Sequence, residues 1–407
     1  MPNAVFVVPY ALEATLKFVR AAARLPDVRL AILSQEPVDR LPADVRQQIA
    51  AHHRLKDCLD SAELVAGIQA AGRSLGSPIT AAIAILEQLQ EPLAKAREEL
   101  GIPGMSEEAS LNFRDKARMK TVLRQHGIPC AKHCLAESAE QAVAFSGECG
   151  LPLVAKPPAG SGGKNTYRLD DPEHLEQLLK TSPPRPESPM LLEEFIKGRE
   201  HSFDSVTVAG RHAFHSISQY TPTPLEVMEN PWIQWCVLLP RSIETGEFAD
   251  IEDTGRRALE CLGMQTGFTH MEWFRRSDGS LAISEVAARP PGAQFTSLIS
   301  YAHDHDFYRA WSELLIRGTF QPPERKYAAG AVYLRGQGGG QVHKIHGLEQ
   351  AQRELGELVI EARLPELHQA PSSSYEGEGY IILRHPQTEV VADGLQRLVR
   401  GIRVEMK

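Results

Sequence analysis

Two short apolar runs on either side of one amphipathic helix set the strongest limit on how the start of this chain can fold. Residues 4–8 (Ala-Val-Phe-Val-Val) form the first run and residues 30–33 the second, and apolar residues recur at helical spacing between Leu12 and Ala23. A strand, a helix and a second strand in this order begin a parallel α/β sheet. The pattern therefore predicts an N-terminal α/β domain of the Rossmann-like kind.

The later segments predict further helices and strands. A helical pattern over residues 79–100 precedes the break Gly101-Ile102-Pro103-Gly104, and a basic amphipathic helix is expected over residues 111–127, before Pro129. After Trp311 the chain contains Pro-rich and Gly-rich stretches between β-rich pieces, which indicates a small C-terminal α+β region. Strands are predicted at 151–156, 190–195, 269–275, 281–286, 331–334 and 379–383.

Charge and cysteine content exclude several classes of protein. The 407 residues include 44 Lys+Arg and 52 Asp+Glu, a net charge of −8 without a polybasic run, so we expect no nucleic-acid partner. The apolar runs are too short for a membrane helix and the start lacks a basic signal region, so we expect no membrane association and a cytoplasmic location. The six scattered cysteines favour reduced thiols, with Cys130 and Cys134 as the weaker alternative of a metal or redox pair.

The segment Leu153-Val154-Ala155-Lys156-Pro157-Pro158-Ala159-Gly160-Ser161-Gly162-Gly163-Lys164 contains the strongest chemical signal. A lysine at the end of an apolar strand is costly unless an anion meets it, and a glycine-rich loop can turn backbone N–H groups toward phosphate oxygens. The pattern is neither a Walker A motif nor a Rossmann fingerprint. It indicates a polyphosphate site, with a solvated turn as the alternative.

Two later segments add a base site and a metal site. The strand end at residues 191–200 offers backbone groups, apolar side chains and a carboxylate to a nucleoside, although a solvated strand end remains the alternative. The hairpin around Ser277-Asp278-Gly279 sets Glu272 near Glu285, and two adjacent carboxylates need a cation such as Mg²⁺ or Mn²⁺. Arg289 follows, well suited to a phosphoryl or carboxylate group.

In this order the three segments resemble the ATP-grasp superfamily. Within it the chain is most similar to the carboxylate–amine ligases, which include bacterial L-amino acid ligases and carnosine synthase, and less similar to D-alanine–D-alanine ligase and biotin carboxylase. The resemblance covers roughly residues 1–315. It implies an α/β ATP-grasp fold with a Rossmann-like domain at 1–108, a subdomain with the phosphate loop at 109–189, a subdomain with the adenosine and metal sites at 190–320, and a C-terminal α+β region at 321–407.

The resemblance also implies a role for each residue of these segments. Those expected to bind ATP are Lys116, Lys156, Gly160, Ser161, Gly162, Gly163, Glu193, Glu194, Phe195, Ile196 and Glu200, with the lysines and the loop at the phosphates, residues 193–196 at the adenine and Glu200 at the ribose. Glu272 and Glu285 are the expected ligands of Mg²⁺ or Mn²⁺. The expected catalytic residues are Arg289, His270 and Lys156, with Arg289 at the transferring phosphate and His270 beside the reacting carboxylate.

The implied activity is ATP-dependent amide formation through an acyl phosphate, with small-molecule carboxylate and amine substrates, expected to be amino acids, and a homodimer as the family expectation. One position departs from the family pattern Glu-x-Asn-x-Arg, because Ala287 replaces the asparagine that commonly holds the second metal ion. The departure supports an alternative, an ATP-binding regulator or scaffold without turnover. A biotin-carboxylase-like enzyme is a further alternative.

Two segments have no assigned role in this scheme. The aromatic and proline-rich stretch at residues 219–235 is either a substrate loop over the acceptor pocket or an edge packed on the core by Trp232 and Trp235. The run His303-Asp304-His305-Asp306 is more typical of a polar turn than of a metal site.

Overall fold

The N-terminal part of the chain is a parallel sheet covered by helices. The computed structural model describes residues 1–160, 165–230, 232–244 and 246–407. Residue Val5 of the first strand pairs in parallel with Ala31 of the second, which confirms the predicted start of the sheet. The sheet has the order β3-β2-β1-β4. Its elements are β1 (Asn3–Val7), α1 (Glu13–Ala23), β2 (Arg29–Ser34), α2 (Ala43–Arg46), β3 (Ala51–Arg54), α3 (Ser61–Leu75), β4 (Ala81–Ile83) and α4 (Gln90–Leu100).

The predicted helix at residues 79–100 was wrong in its first half. Residues Ala81–Ile83 form β4, which pairs in parallel with β1, and α4 begins only at Gln90. A short apolar run fits a buried strand as well as a helix, and here the open edge of β1 decides in favour of a strand.

The predicted helix at residues 111–127 is two helices that meet at one residue. α5 (Glu107–Arg114) ends and α6 (Lys116–Gln125) begins at Asp115, whose carboxylate accepts hydrogen bonds from the backbone amides of Ala117 and Arg118. An aspartate N-cap of this kind starts a new helix because it satisfies amides that have no partner inside the helix. The break places Lys116 at the first position of α6.

A small sheet follows, with the phosphate-loop strand inside it. In the described part of the chain its strand order is β5-β8-β6-β7. Its elements and helices are β5 (His133–Ala136), α7 (Ala139–Cys149), β6 (Leu153–Lys156), β7 (Tyr167–Leu169), α8 (Pro172–Thr181) and β8 (Met190–Glu194). The predicted strands at 151–156 and 190–195 are therefore confirmed within two residues.

The rest of the chain builds a large antiparallel sheet with the order β13-β12-β9-β10-β11-β14-β18-β17. It runs without a break from the predicted metal hairpin to the C-terminal strands, because β11 pairs with β14 and β14 pairs with β18. Its strands and helices are β9 (Gly198–Val208), β10 (Arg211–Thr221), α9 (Pro224–Glu229), β11 (Trp235–Leu239), α10 (Ala249–Leu262), β12 (Gly267–Arg276), β13 (Leu281–Ala287), α11 (Phe295–His303), α12 (Phe307–Arg317) and β14 (Ala328–Leu334).

The C-terminal region adds its own helices and a small sheet. The small sheet has the order β15-β19-β16 in the described residues, and β17 and β18 extend the large sheet. The elements are β15 (Gly336–Gln337), β16 (Val342–His346), α13 (Leu348–Leu355), β17 (Val359–Arg363), β18 (Gly379–His385), α14 (Thr388–Gly401) and β19 (Arg403–Met406). The short 3₁₀ turns are Val38–Arg40, Glu87–Leu89 and Gly356–Leu358.

One apolar core joins the N-terminal domain to the large sheet. Phe6 of β1 and Phe18 of α1 contact the buried ring of Trp311 on α12, with ring centroids 5.6 and 5.2 Å apart. Buried residues of both parts belong to this one core. The N-terminal domain is thus fixed against the large sheet, and the two enclose the cavity described next. None of the described helices is long and apolar enough to span a membrane.

Candidate active site

A cavity of about 650 Å³ opens between the N-terminal domain, the small sheet and the large sheet. Every predicted site residue that the structure describes lines it, whichever element carries the residue. They are Lys116, Lys156, Gly160, Glu193, Glu194, Phe195, Ile196, Glu200, His270, Glu272, Glu285 and Arg289. Predicted residues Ser161, Gly162 and Gly163 lie outside the described residues. The fold therefore brings together residues that are up to 173 positions apart, from Lys116 to Arg289.

Lys116 is attached to the phosphate-loop segment at two points. Its backbone amide donates to the carbonyl of Pro158 at 2.9 Å, and its Nζ donates to the carbonyl of Gly160 at 2.7 Å. The same Nζ lies 3.0 Å from Oε1 of Glu285. The start of α6 thus links the loop to the predicted metal hairpin and holds a cation between them.

Glu193 lies between two lysines at the base of the cavity. Its Oε2 is 3.0 Å from Nζ of Lys156, and its Oε1 is 3.4 Å from Nζ of Lys120. Lys120 is one helical turn after Lys116, is fully buried, and donates a 2.7 Å hydrogen bond to the carbonyl of Ser284. Burial opposes ionisation of Glu193, but the two lysines outweigh it and lower the pKa of that carboxyl.

The pKa values of Lys120 and Lys156 are shifted in opposite directions. Burial lowers the pKa of Lys120 more than Glu193 raises it. Burial also lowers the pKa of Lys156, yet Glu193 and Glu285 outweigh that effect and raise it. Lys156 is therefore held as a cation at the end of β6, as the sequence predicted for a lysine that meets an anion.

Lys120→Met offers a test of this arrangement. The change leaves Glu193 with one cation and the carbonyl of Ser284 without its donor, so Lys156 would be drawn toward Glu193. For the ATP site expected from the sequence, this would withdraw Lys156 from the phosphates. We then expect kcat/KM for ATP to fall about 10- to 100-fold, mainly through a higher KM, as when supporting partners of a site are lost. ATP titration of variant and wild type, with thermal melting to confirm folding, measures the effect. A folded variant with unchanged KM would contradict it.

At the strand end that was predicted to hold the base, two side chains contact arginines from other strands. Glu194 accepts a 2.6 Å hydrogen bond from Arg276, and the guanidinium of Arg168 lies 4.4 Å from the centre of the Phe195 ring. Ile196 is buried, and Glu200 is buried two residues into β9. These side chains line the same cavity as Lys116 and Lys156.

Glu272 and Glu285 are direct cross-strand neighbours in the hairpin of β12 and β13. Burial, and then the charge of Glu272, raise the pKa of Glu200 well above its usual value. Burial opposes ionisation of Glu285, but Lys116 and Lys156 lower the pKa of that carboxyl. Crowded carboxylates of this kind suit a hard cation, and oxygen donors are the ligands that Mg²⁺ prefers.

Glu272 and Glu285 are the paired carboxylates that the described residues would offer to such a cation. The described residues contain no cluster of three or more His, Cys, Asp or Glu side chains arranged to hold a metal. A cation held by Glu272 and Glu285 would take its remaining ligands from phosphate oxygens and water, which is how Mg²⁺ is usually bound beside nucleotides.

His270 contacts an aspartate that the sequence analysis did not single out. Its Nδ1 lies 2.6 Å from Oδ1 of Asp204, and its Nε2 lies 3.6 Å from Oε1 of Glu272. Asp204 also accepts a 2.7 Å hydrogen bond from Ser202. Burial lowers the pKa of His270, but Asp204 and Glu272 outweigh it and raise the pKa to about 9.

Arg289 reaches across to the N-terminal domain. Its Nη2 is 3.1 Å from Oε2 of Glu87, and both side chains are mostly buried. The ion pair places a guanidinium at the wall of the cavity. It also makes Glu87 part of the site.

The segment at residues 219–235 divides between the two expected roles. Trp235 is buried in the core, as the edge interpretation requires, whereas Trp232 is 57% exposed. Helix α9 lines the cavity with Leu225 and Met228, as a substrate loop would. The run at residues 303–306 forms the turn between α11 and α12, where Asp306 caps α12.

Several residues of the site were missed in the sequence. They are Lys120, Asp204, Glu87 and Tyr375. Tyr220, which also lines the cavity, belongs to the segment 219–235 that was expected to form a substrate loop or a packed edge. Lys120 had one usable signal, since it lies four residues after Lys116 on the same basic helix. The others lie on elements far apart in the chain, and no spacing rule connects them.

Comparison with known proteins agrees with this geometry. Residues 121–301 match the family model of the ATP-grasp domain. The L-arginine-specific L-amino acid ligase of Bacillus subtilis is 30% identical over 208 residues, which are 50% of this chain and 49% of that protein. D-alanine–D-alanine ligase A of Mesorhizobium japonicum is 27% identical over 212 residues, 48% of this chain and 56% of that protein. The chain thus spans about half the length of these curated relatives.

A solved structure matches the whole chain in fold. The L-amino acid ligase from Bacillus licheniformis superposes with a TM-score of 0.78 at 18% identity, over 100% of this chain and 99% of that one. This confirms the expected fold class, from the N-terminal parallel sheet to the C-terminal strands.

Proposed function

We propose that this chain, which contains an ATP-grasp domain at residues 121–301, is an ATP-dependent carboxylate–amine ligase that releases ADP and phosphate. The proposal rests mainly on one observation. Lys116 and Lys156 line the same cavity as the paired carboxylates Glu272 and Glu285. Cations for a polyphosphate, carboxylates for a divalent cation and an arginine for a second anion are the parts that phosphoryl transfer to a carboxylate needs.

The reaction we propose has two steps. A carboxylate oxygen of one substrate attacks the γ-phosphorus of ATP, and the bond from that phosphorus to the ADP oxygen breaks. The amine nitrogen of the second substrate then attacks the carbonyl carbon of the acyl phosphate, the carbon–oxygen bond to phosphate breaks, and the nitrogen loses its proton to solvent. The protein positions the groups and neutralises their charge, and the enclosed cavity limits access of water to the acyl phosphate.

The residues divide these tasks among them. Lys116 and Lys156 would hold the phosphates, and residues 193–196 with Glu200 would bind the nucleoside. Arg289 would stabilise charge on the transferring phosphoryl group, since a guanidinium matches phosphate oxygens in pairs. Glu272 and Glu285 would hold Mg²⁺, which when bound neutralises phosphate charge.

ADP release is the direct test of this function. The full chain is incubated with ATP and Mg²⁺, with and without a pool of amino acids and other carboxylate–amine pairs, and products are analysed by mass spectrometry. We expect ADP release that depends on the pool and on Mg²⁺, together with a product mass equal to the two substrates minus water. ATP binding without stimulation by any pair would instead support the regulator alternative.

Ala287 allows the enzyme and the regulator to be separated. It is buried, and it lies directly across from His270 in the hairpin, where the related pattern has asparagine. We expect Ala287→Asn to lower ADP release about tenfold, because the larger side chain at this buried position would displace His270, and a tenfold loss corresponds to about 1.4 kcal/mol in the barrier. Ala287→Leu, which has the same number and branching of side-chain heavy atoms but no polar group, controls for crowding. A large gain with Asn and not Leu would indicate a degenerate metal site.

A further inference from the structure

Part of the cavity lining is apolar and aromatic rather than charged. It comes from the N-terminal domain and the large sheet together: Leu12, Phe18, Tyr220, Trp235, Phe295 and Tyr375. The groups assigned above to phosphates, nucleoside and metal are other residues of the same lining. The aromatic end, as we call this six-residue lining, has no ligand assigned to it.

The rings of the aromatic end form a fixed wall. Trp235 and Tyr375 meet edge to face with centroids 4.9 Å apart, and Tyr220 and Phe295 do so at 5.7 Å. Trp235 also stacks on the buried ring of Tyr333 at 4.8 Å. Interlocked rings of this kind keep their positions, so the wall is formed before a ligand arrives.

The aromatic end adjoins the reacting groups. The ring of Phe295 lies 5.5 Å from that of His270, centroid to centroid, and both residues line the cavity. Glu272 and Arg289 belong to the surroundings of the Tyr375 hydroxyl. A ligand that fills this end therefore has its polar head beside the proposed transfer site.

Apolar side chains also stand at the mouth of this end. Leu12 is 52% exposed although it lines the cavity, and Met228 of α9 lines the opposite side. The acidic side chains of α9, Glu226 and Glu229, are exposed at the rim. An apolar ligand that covers this half-exposed leucine removes apolar surface from water, which favours binding.

We propose that the carboxylate substrate is an amino acid or related acid with a large apolar side chain, aromatic or branched aliphatic, held in the aromatic end. The inference rests on the proposed function and deepens it. A pocket of this kind discriminates by apolar contact, at about 10- to 200-fold for each methylene that is lost. Small and charged side chains are the ones it would reject.

Binding and turnover are measured separately to test this. Calorimetry of the chain with ADP and Mg²⁺ compares L-phenylalanine and L-leucine with glycine and L-aspartate. ADP release is then measured for each acid with hydroxylamine as the amine, which traps the acyl phosphate as a hydroxamate. We expect phenylalanine and leucine to bind and turn over with kcat/KM at least about tenfold above glycine and aspartate.

Each outcome bears on one of the two proposals. Selective binding without turnover supports the aromatic end as the side-chain site and contradicts the ligase. Turnover with glycine or aspartate at the rate of phenylalanine supports the ligase and overturns this inference. Failure of all four acids to bind overturns the inference as well.

A pair of matched variants localises the effect. Leu12→Gln places an amide at the mouth, and Leu59→Gln makes the same change at a leucine that is 48% exposed outside this cavity. We expect the KM for phenylalanine to rise about tenfold in the first variant and to stay unchanged in the second, with the KM for ATP unchanged in both. Equal behaviour of the two variants would contradict the assignment.

Discussion

Glu285→Gln will lower ADP release by about a thousandfold while the chain remains folded. The change keeps the shape of the side chain but removes one of the two cross-strand carboxylates that we propose to hold Mg²⁺. Loss of metal stabilisation of the phosphates amounts to several kcal/mol, and each 1.4 kcal/mol corresponds to about tenfold in rate. ADP release at saturating ATP, measured over a range of Mg²⁺ concentrations, gives the effect.

The controls for Glu285→Gln separate charge from position. Glu324→Gln removes the same charge from an exposed side chain outside the cavity, and we expect it to leave turnover unchanged. Lys116 keeps its hydrogen bond to the carbonyl of Gly160 in the variant, so binding of ATP should survive. Full turnover by the Glu285 variant would contradict the assignment of the β12–β13 hairpin as the metal site.

Lys156→Ala will lower turnover by about 10²- to 10³-fold for a different reason, which is the loss of one preorganised partner of a developing charge. Lys156 is the cation at the end of β6 in the cavity, and Glu193 and Glu285 keep it charged. The binding of ATP should weaken too, since we propose that the same group also contacts the phosphates in the ground state.

Lys132→Ala is the matched control for that lysine, because its side chain is exposed just before β5 and outside the cavity. Stopped-assay ADP release and calorimetric binding of ATP are measured on both variants. We expect loss of turnover and weaker binding for Lys156 alone. Unchanged kcat in Lys156→Ala would show that the phosphates lie elsewhere.

The parts of the fold that the sequence predicted well are those with a continuous apolar run or a clear boundary. The parallel start of the sheet follows from two apolar runs, and the strand that ends at Lys156 follows from its apolar residues and the glycine loop after it. The break at Asp115 was missed although the residue is a favoured helix cap, because the flanking helical pattern is continuous.

The long hairpin of β9 and β10 was missed for a physical reason. Both faces of β9 are covered, and polar residues such as Glu200, Ser202 and Asp204 occupy buried positions on the face toward the cavity side of the sheet. This removes the alternation of apolar and polar residues that identifies a half-buried strand. The turn at Ala209 and Gly210, both with positive φ, was the signal that remained.

Site residues that belong to a short local motif were predictable from the sequence. Site residues that only the folded chain brings together were not. Lys156, Glu272 and Glu285 follow from local patterns. Glu87 and Tyr375 reach the cavity from the first and last parts of the chain, and their neighbours are set by packing rather than by spacing.

The continuous large sheet has a consequence for how this protein is made. All the motifs of the proposed ATP site have been synthesised once Arg289 leaves the ribosome, but β11 still lacks its neighbour β14, and β14 still lacks β18 at Gly379–His385. Until then the nascent chain exposes an unpaired strand edge, which is a template for association with other chains. Completion of the cavity wall, with Tyr375, therefore comes late in synthesis, and a chain that stops after α12 would present that edge permanently.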